Sequence, residues 1–291
     1  MRNRGPERDG IAPYLFLAPL LVLLAAFIVY PVIMNLVASF AEWKGYGPMR
    51  WIGLANYRTM LADQAFWTSL RNTAVLVCYI PLSVAITVFV ASLLREGLRG
   101  WQVYRAILYI PNLLGLVIIG VVFSIYLRDD GPVNLALKWA GGPTLRFLTS
   151  PWLALNSVAI IKILWVHLGF GLIYFLAAMS GIEQGVYEAA IIDGAGFFQT
   201  LWRVTVPSIR FAIQFWVVFN FIEVFARMFS LVYTLTQGGP GYATFTLEYG
   251  IFVQGFAKFR VGYSSAWSMV LFLFCAVISV VQIRLMRRGT S

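Results

Sequence analysis

The side chains in this sequence that could do chemistry are few, and most sit in unusual surroundings. Glu223 and Arg227 stand four positions apart, on one helical face, inside an otherwise apolar stretch. Lys162 and His167 lie in a second such stretch. Charges are costly in an apolar medium, so Glu223 and Arg227 should face an interior, either as a structural ion pair, the favoured reading, or as polar groups lining a solute path. Lys162 is expected to snorkel outward along its own stem. His167 reads as a hydrogen-bonded core residue in preference to a proton relay. Trp165, Tyr174, Asn220 and Phe225 add aromatic faces and hydrogen-bonding groups that a polar solute would need. Other chemistries are closed. Two cysteines, Cys78 and Cys275, and one histidine make neither a disulfide framework nor a zinc site. None of Lys44, Lys138, Lys162 or Lys258 follows a glycine as a phosphate-binding loop requires. No catalytic residue and no metal ligand is expected.

The elements that carry these residues follow from composition. Of 291 residues, 60% are hydrophobic and 12% charged, and the mean hydropathy is +0.79. Soluble domains run nearer 45–50% apolar and about 25% charged, so the solvent here must be largely lipid. The net charge of +10 does not signal nucleic acid, because the basic residues flank hydrophobic runs. The predicted fold class is an all-α polytopic membrane protein. Six transmembrane helices are expected at about 11–41, 70–94, 106–127, 152–181, 209–235 and 261–283. The first run is far longer than a signal-peptide core, so residues 1–10 are an arm and the run is an uncleaved span. Arginine in the arm, in the Arg95–Arg105 turn and in the Arg284–Arg288 tail places both termini in the cytoplasm. The outer loops, around 42–68, 128–151 and 236–260, carry lysine and arginine too. Trp139, Trp152, Trp67 and the tryptophans of 43–51 read as interfacial anchors.

One cytoplasmic loop, 183–207, is unlike the rest. Tyr187 to Ile192 forms a helix, Asp193-Gly194 is a left-handed stop, and Phe197 to Val206 reads as a second short helix ended by Pro207. Ala189, Ala190, Gly194, Ala195 and Gly196 leave an elbow nearly free of side chains, which another backbone can approach closely. Phe197, Phe198, Leu201 and Trp202 are expected to be knobs for a partner's groove. Asp193 has a structural alternative, capping the second helix.

These residues resemble the EAA loop of ABC importer permeases: Glu188-Ala189-Ala190, then Asp193-Gly194-Ala195, then Val206-Pro207, at the family spacing. Downstream, Leu235-Thr236-Gln237-Gly238-Gly239-Pro240, Thr244, Thr246-Leu247, Gly255-Phe256 and Gly262-Tyr263 are similar to the carbohydrate-uptake branch, as are Pro13 to Pro31 and Gly53-Leu54-Ala55-Asn56-Tyr57. Phe211 stands where family members often have proline, and Gln237 and Ser230 depart from the usual glycine and acidic residue.

The resemblance implies a type I importer permease with a cytoplasmic coupling helix, which forms half of a sugar path and couples ATPase closure to alternating access. It implies a second permease subunit as heterodimer partner, two ATP-binding subunits and an extracytoplasmic sugar-binding protein, in a prokaryotic inner membrane. ATP and Mg would be held by the ATPase, and this chain would be no enzyme. Glu188 would meet a basic group of that ATPase, and Gly194 would allow the bend. A glycerol-3-phosphate or other phosphodiester importer of the same architecture is the alternative, a proton-coupled secondary transporter the more distant one. The latter would work through Glu223, His167 and Arg227.

Overall fold

The structure is a computed structural model and describes residues 12–96 and 100–288. The arm of 1–10, residues 97–99 of the arginine-rich turn and the side chains after Arg284 lie outside it. In chain order the elements are α1 (Tyr14–Ser39), a two-stranded antiparallel hairpin of β1 (Ala41–Glu42) and β2 (Arg50–Trp51), α2 (Ala55–Ala62) and α3 (Gln64–Arg95), which turns slightly at Cys78 and Tyr79. Then come α4 (Trp101–Leu113) and α5 (Leu116–Tyr126), α6 (Pro132–Trp139), α7 (Pro151–Ser180), α8 (Gln184–Ile192) and α9 (Phe197–Ser208). The chain closes with α10 (Arg210–Ala226), α11 (Phe229–Leu235), α12 (Leu247–Phe252) and α13 (Val261–Arg288).

Among the described residues, α1, α3, α7 and α13 are long and apolar enough to cross a bilayer. The pairs α4–α5 and α9–α10 pass the same test only together, bent by 97° and 76°, and counting each pair as one span gives six. The run 106–127 is therefore not one straight helix. Pro111 removes an N–H inside α4, and Gly115 is extended (φ −63°, ψ 140°) just before α5, so the ladder breaks between them. The run 209–235 is also divided, into α10 and α11, at Arg227 and Met228. There the Glu248 carboxylate accepts the backbone N–H groups of Met228 (2.6 Å) and Phe229 (2.7 Å), doing for α11 what an N-cap side chain does.

The core sits where α3, α7 and α10 meet. Trp216 is fully buried there, stacked on Tyr174 (5.4 Å between ring centres) and Phe219 (5.1 Å), with Phe175 edge-on at 5.8 Å. This crowding explains Gly171: a Cβ there would come within 2.6 Å of Trp216 and 2.7 Å of Thr87, so α3, α7 and α10 close up only over glycine. α1, by contrast, buries none of its apolar window against the rest of the chain. It joins the bundle at Ala38 and Ser39, where Asn56 Nδ2 donates to the carbonyls of Ser39 (3.0 Å) and Ala41 (2.9 Å).

Candidate functional site

Two places hold the residues singled out by the sequence. The first is the elbow between α8 and α9. α8 ends in a Schellman motif: Ala195 N–H donates to the carbonyl of Ala190 (2.9 Å), and Gly194 N–H to that of Ile191 (3.0 Å). Gly194 has φ +75°, so the left-handed stop expected at Asp193-Gly194 is what the backbone adopts. Asp193 is the last residue before that turn, and the α9 end is closed instead by Gln199, whose Oε1 accepts the Gly196 N–H at 3.1 Å. Asp193, Gly194, Glu188 and Ala189 are exposed, with Ala190 and Ala195 half-buried. Glu188 accepts a bond from Gln184 Nε2 (2.9 Å) at the surface.

The expected knobs divide. Leu201 is buried (5% exposed), and half-buried Phe197 packs edge-on to Phe89 of α3 at 5.9 Å, so both hold the elbow to its own bundle and neither is free for a partner. The reason is helical phase: Phe197 and Leu201, four apart, share the face of α9 that meets α3. Phe198 and Trp202 occupy the next face and stay exposed. They open onto an apolar groove of about 840 Å³ walled by Phe89, Val217 and Phe221. Pro207 is exposed in the last turn of α9, which runs one residue past it before bending at Ile209. Two side chains not singled out by sequence dominate the tip: Ile191 is 69% exposed and Ile192 85%. Their signal was the apolar pair following Glu-Ala-Ala, which reads equally well as a buried helix face.

The second place is an ion cluster deep in the bundle. Lys162 Nζ lies 2.9 Å from Glu223 Oε2, with both side chains under 10% exposed. Lys162 therefore does not snorkel outward. It sits in a π-helical turn of α7, Ile160–Val166, and faces Glu223 of α10. The expected Glu223–Arg227 pair is also present, Arg227 Nε reaching Glu223 Oε1 at 3.2 Å, but Arg227 is 71% exposed and is the outer partner. His167 Nε2 stands 3.5 Å from Glu223, while Nδ1 is 2.6 Å from Asn220 Oδ1, so His167 is held in the core as expected.

The remaining path candidates lie on the same two helices, α7 and α10. Asn220 also donates to the carbonyl of Trp216 (2.8 Å), and Tyr174 donates to that of Ala212 (3.2 Å). Phe225 stacks on Phe274 of α13 at 6.0 Å, and Trp165, partly exposed, meets Phe123 of α5 edge-on at 5.2 Å. The Gly238-Gly239-Pro240 loop folds onto α3: Asn72 Nδ2 donates to the carbonyls of Tyr242 (2.7 Å) and Phe245 (3.2 Å), and the Thr244 hydroxyl to that of Gly239 (2.8 Å). Among the described residues no group of three His, Cys, Asp or Glu could hold a metal ion.

Comparison with known proteins decides what such a bundle belongs to. A probable ABC transporter permease of Pyrococcus horikoshii is 32% identical over 284 residues, covering 95% of both chains. A diacetylchitobiose uptake permease of Streptomyces coelicolor is 32% identical over 301 residues, covering 96% of this chain and 85% of that one. The chain belongs to the ABC transporter permeases of the sugar-uptake family. A lactose transport permease of Rhizobium radiobacter is 30% identical over 277 residues, 92% of each chain. No family model matches. The crystal structure of a bacterial alginate ABC transporter contains a chain that superposes with a TM-score of 0.84 at 24% identity, covering 96% of this chain and 95% of that one, which extends the family fold to the whole bundle. The chain is thus a multi-pass membrane protein and a transport subunit of this permease family.

Proposed function

We propose that this permease is one of two unlike membrane subunits of an ATP-driven, binding-protein-dependent sugar or oligosaccharide importer. It lies in a prokaryotic inner membrane with both termini in the cytoplasm. The observation that carries the reading is the elbow tip, where Ile191 and Ile192 stand exposed on a rigid Schellman turn outside any apolar span. Large apolar side chains held out on a fixed backbone fit a protein groove, and water would be a poor neighbour for them. In this reading each permease seats its elbow in a cleft of one of two ATP-binding subunits, with Glu188 against a basic group there. ATP and Mg belong to those subunits, since this chain carries no phosphate-binding loop. ATPase closure then moves the elbow as a lever and shifts the bundle between inward and outward openings. An extracytoplasmic binding protein delivers the sugar at the opposite end.

Inside, Glu223, Asn220, Trp165, Tyr174, Phe225 and Arg227 are the side chains nearest a path. Arg227, exposed beside a buried carboxylate, presents its guanidinium to solute hydroxyls. ATP-dependent uptake in proteoliposomes holding the whole importer tests the reading. Glu188→Lys and Gly194→Arg should abolish uptake while this chain still inserts in the membrane. Uptake at the wild-type rate in both would overturn it.

A further inference from the structure

α3 touches both places described above. At its cytoplasmic end Arg95, the last residue of the helix, lays its guanidinium over the ring of Tyr187 in α8, 3.2 Å from the ring centre. Tyr187 is buried, and its hydroxyl lies 3.3 Å from Thr205 Oγ1 in α9, so one ring ties together α3, α8 and α9. Phe89, less than two turns earlier, meets both Phe197 (5.9 Å) and Phe198 (6.3 Å). Twelve residues before Arg95, and so about 18 Å along the helix, the buried Ser83 hydroxyl donates to the carbonyl of Ile163 at 2.8 Å. Ile163 belongs to the π-helical turn that carries Lys162. A π turn shifts the backbone ladder by one residue, and Ser83 bonds a carbonyl in that shifted stretch.

The elbow is also the covalent link between the two arms of the ion cluster. α7, which carries Lys162, runs into α8, and α9 runs into α10, which carries Glu223. If the elbow moved independently of α3, the two arms would be displaced relative to the helix that braces them. We propose that Arg95 is a positioning residue for coupling: with Tyr187 it latches the elbow to α3, so that elbow, α3 and the Lys162–Glu223 cluster travel as one body. A cation over an aromatic face suits this task, since it binds strongly when desolvated yet sits at the rim of the bundle.

The inference rests on residues 183–207 being the ATPase-coupling elbow, and its test separates the two claims. Spin labels at Gly185→Cys in α8 and Leu82→Cys in α3, both exposed sites, are placed in a Cys78→Ser, Cys275→Ser background of the complete importer. Distances are measured by pulsed electron resonance with and without Mg-ATP and vanadate. Wild type and Arg95→Lys should give one narrow distance that nucleotide leaves unchanged. Arg95→Ala and Tyr187→Leu should each lose it to a broad distribution that shifts with nucleotide, and the double variant should be no worse than either single. ATPase subunits should co-purify with all of them. A narrow, unchanged distance in both Arg95→Ala and Tyr187→Leu would overturn the latch and leave the elbow's docking intact. Failure of the wild-type chain to co-purify with any ATPase would instead overturn the functional reading beneath it.

Discussion

The elbow and the ion cluster are built on opposite principles. The elbow is local: eleven consecutive residues, Tyr187 to Phe197, hold the last turns of α8, the Schellman turn and the first residue of α9. Its small residues leave clearance, and Ile191 and Ile192 stand exposed at its tip. The cluster is non-local, joining Lys162 to Glu223 across 61 positions and burying the join. If the elbow docks on a partner, as proposed, its chemistry can stay in one short segment, because the partner supplies the rest. An interior site must draw its groups from several helices, and no short segment announces it.

The largest effect is expected at the cluster. Lys162→Met leaves Glu223 buried without its nearest cation, and loss of one partner of a buried pair costs about 3–5 kcal/mol. Thermal unfolding in detergent should show this, with Lys162→Met/Glu223→Met recovering most of it. Equal loss in single and double variants would mean that packing, and not the pair, sets the stability. At the elbow the signs should reverse. Ile192→Asp, at a site 85% exposed, should change the stability of the isolated chain by no more than about 0.5 kcal/mol, yet strip the ATPase subunits from the purified complex. Gly194→Ala falls between: a residue with Cβ held at φ +75° costs about 1–2 kcal/mol, read as local loosening of α8 by hydrogen exchange. Arg227→Gln should also be mild. Its bond to the same carboxylate is largely exposed, so the stability change should stay under about 1 kcal/mol. Any larger effect on uptake than on stability would mark Arg227 as a path residue.

What was legible follows the same division. Apolar run length gave the bundle, and Asp193-Gly194 gave the elbow's turn, since both are short-range consequences of solvent and backbone sterics. The bends at Leu114–Gly115 and at Arg227–Met228 were harder, because Pro111 alone does not break a span. The second bend depends on Glu248, twenty positions from Met228, offering its carboxylate to freed N–H groups. The snorkelling expected of Lys162 fails for the same reason: the carboxylate that holds it inside, Glu223, lies 61 positions away, and nothing in the stretch around Lys162 announces it. Leu201 and Phe197 look like partner knobs until α3 is set against them. Nothing in the sequence pointed to the contacts of Ser83 and Arg95, the one a common hydroxyl and the other read as a basic residue at a span end.

In the proposed function the tip of the elbow lies inside an ATP-binding subunit. A photo-crosslinking amino acid at Ile192, in membranes holding the whole importer, tests it most directly, with the exposed Trp139 at the far end of the bundle as control. A covalent adduct with the ATPase subunit should form from position 192 and none from 139. Adducts from position 192 with lipid alone, or with an extracytoplasmic protein, would overturn that docking.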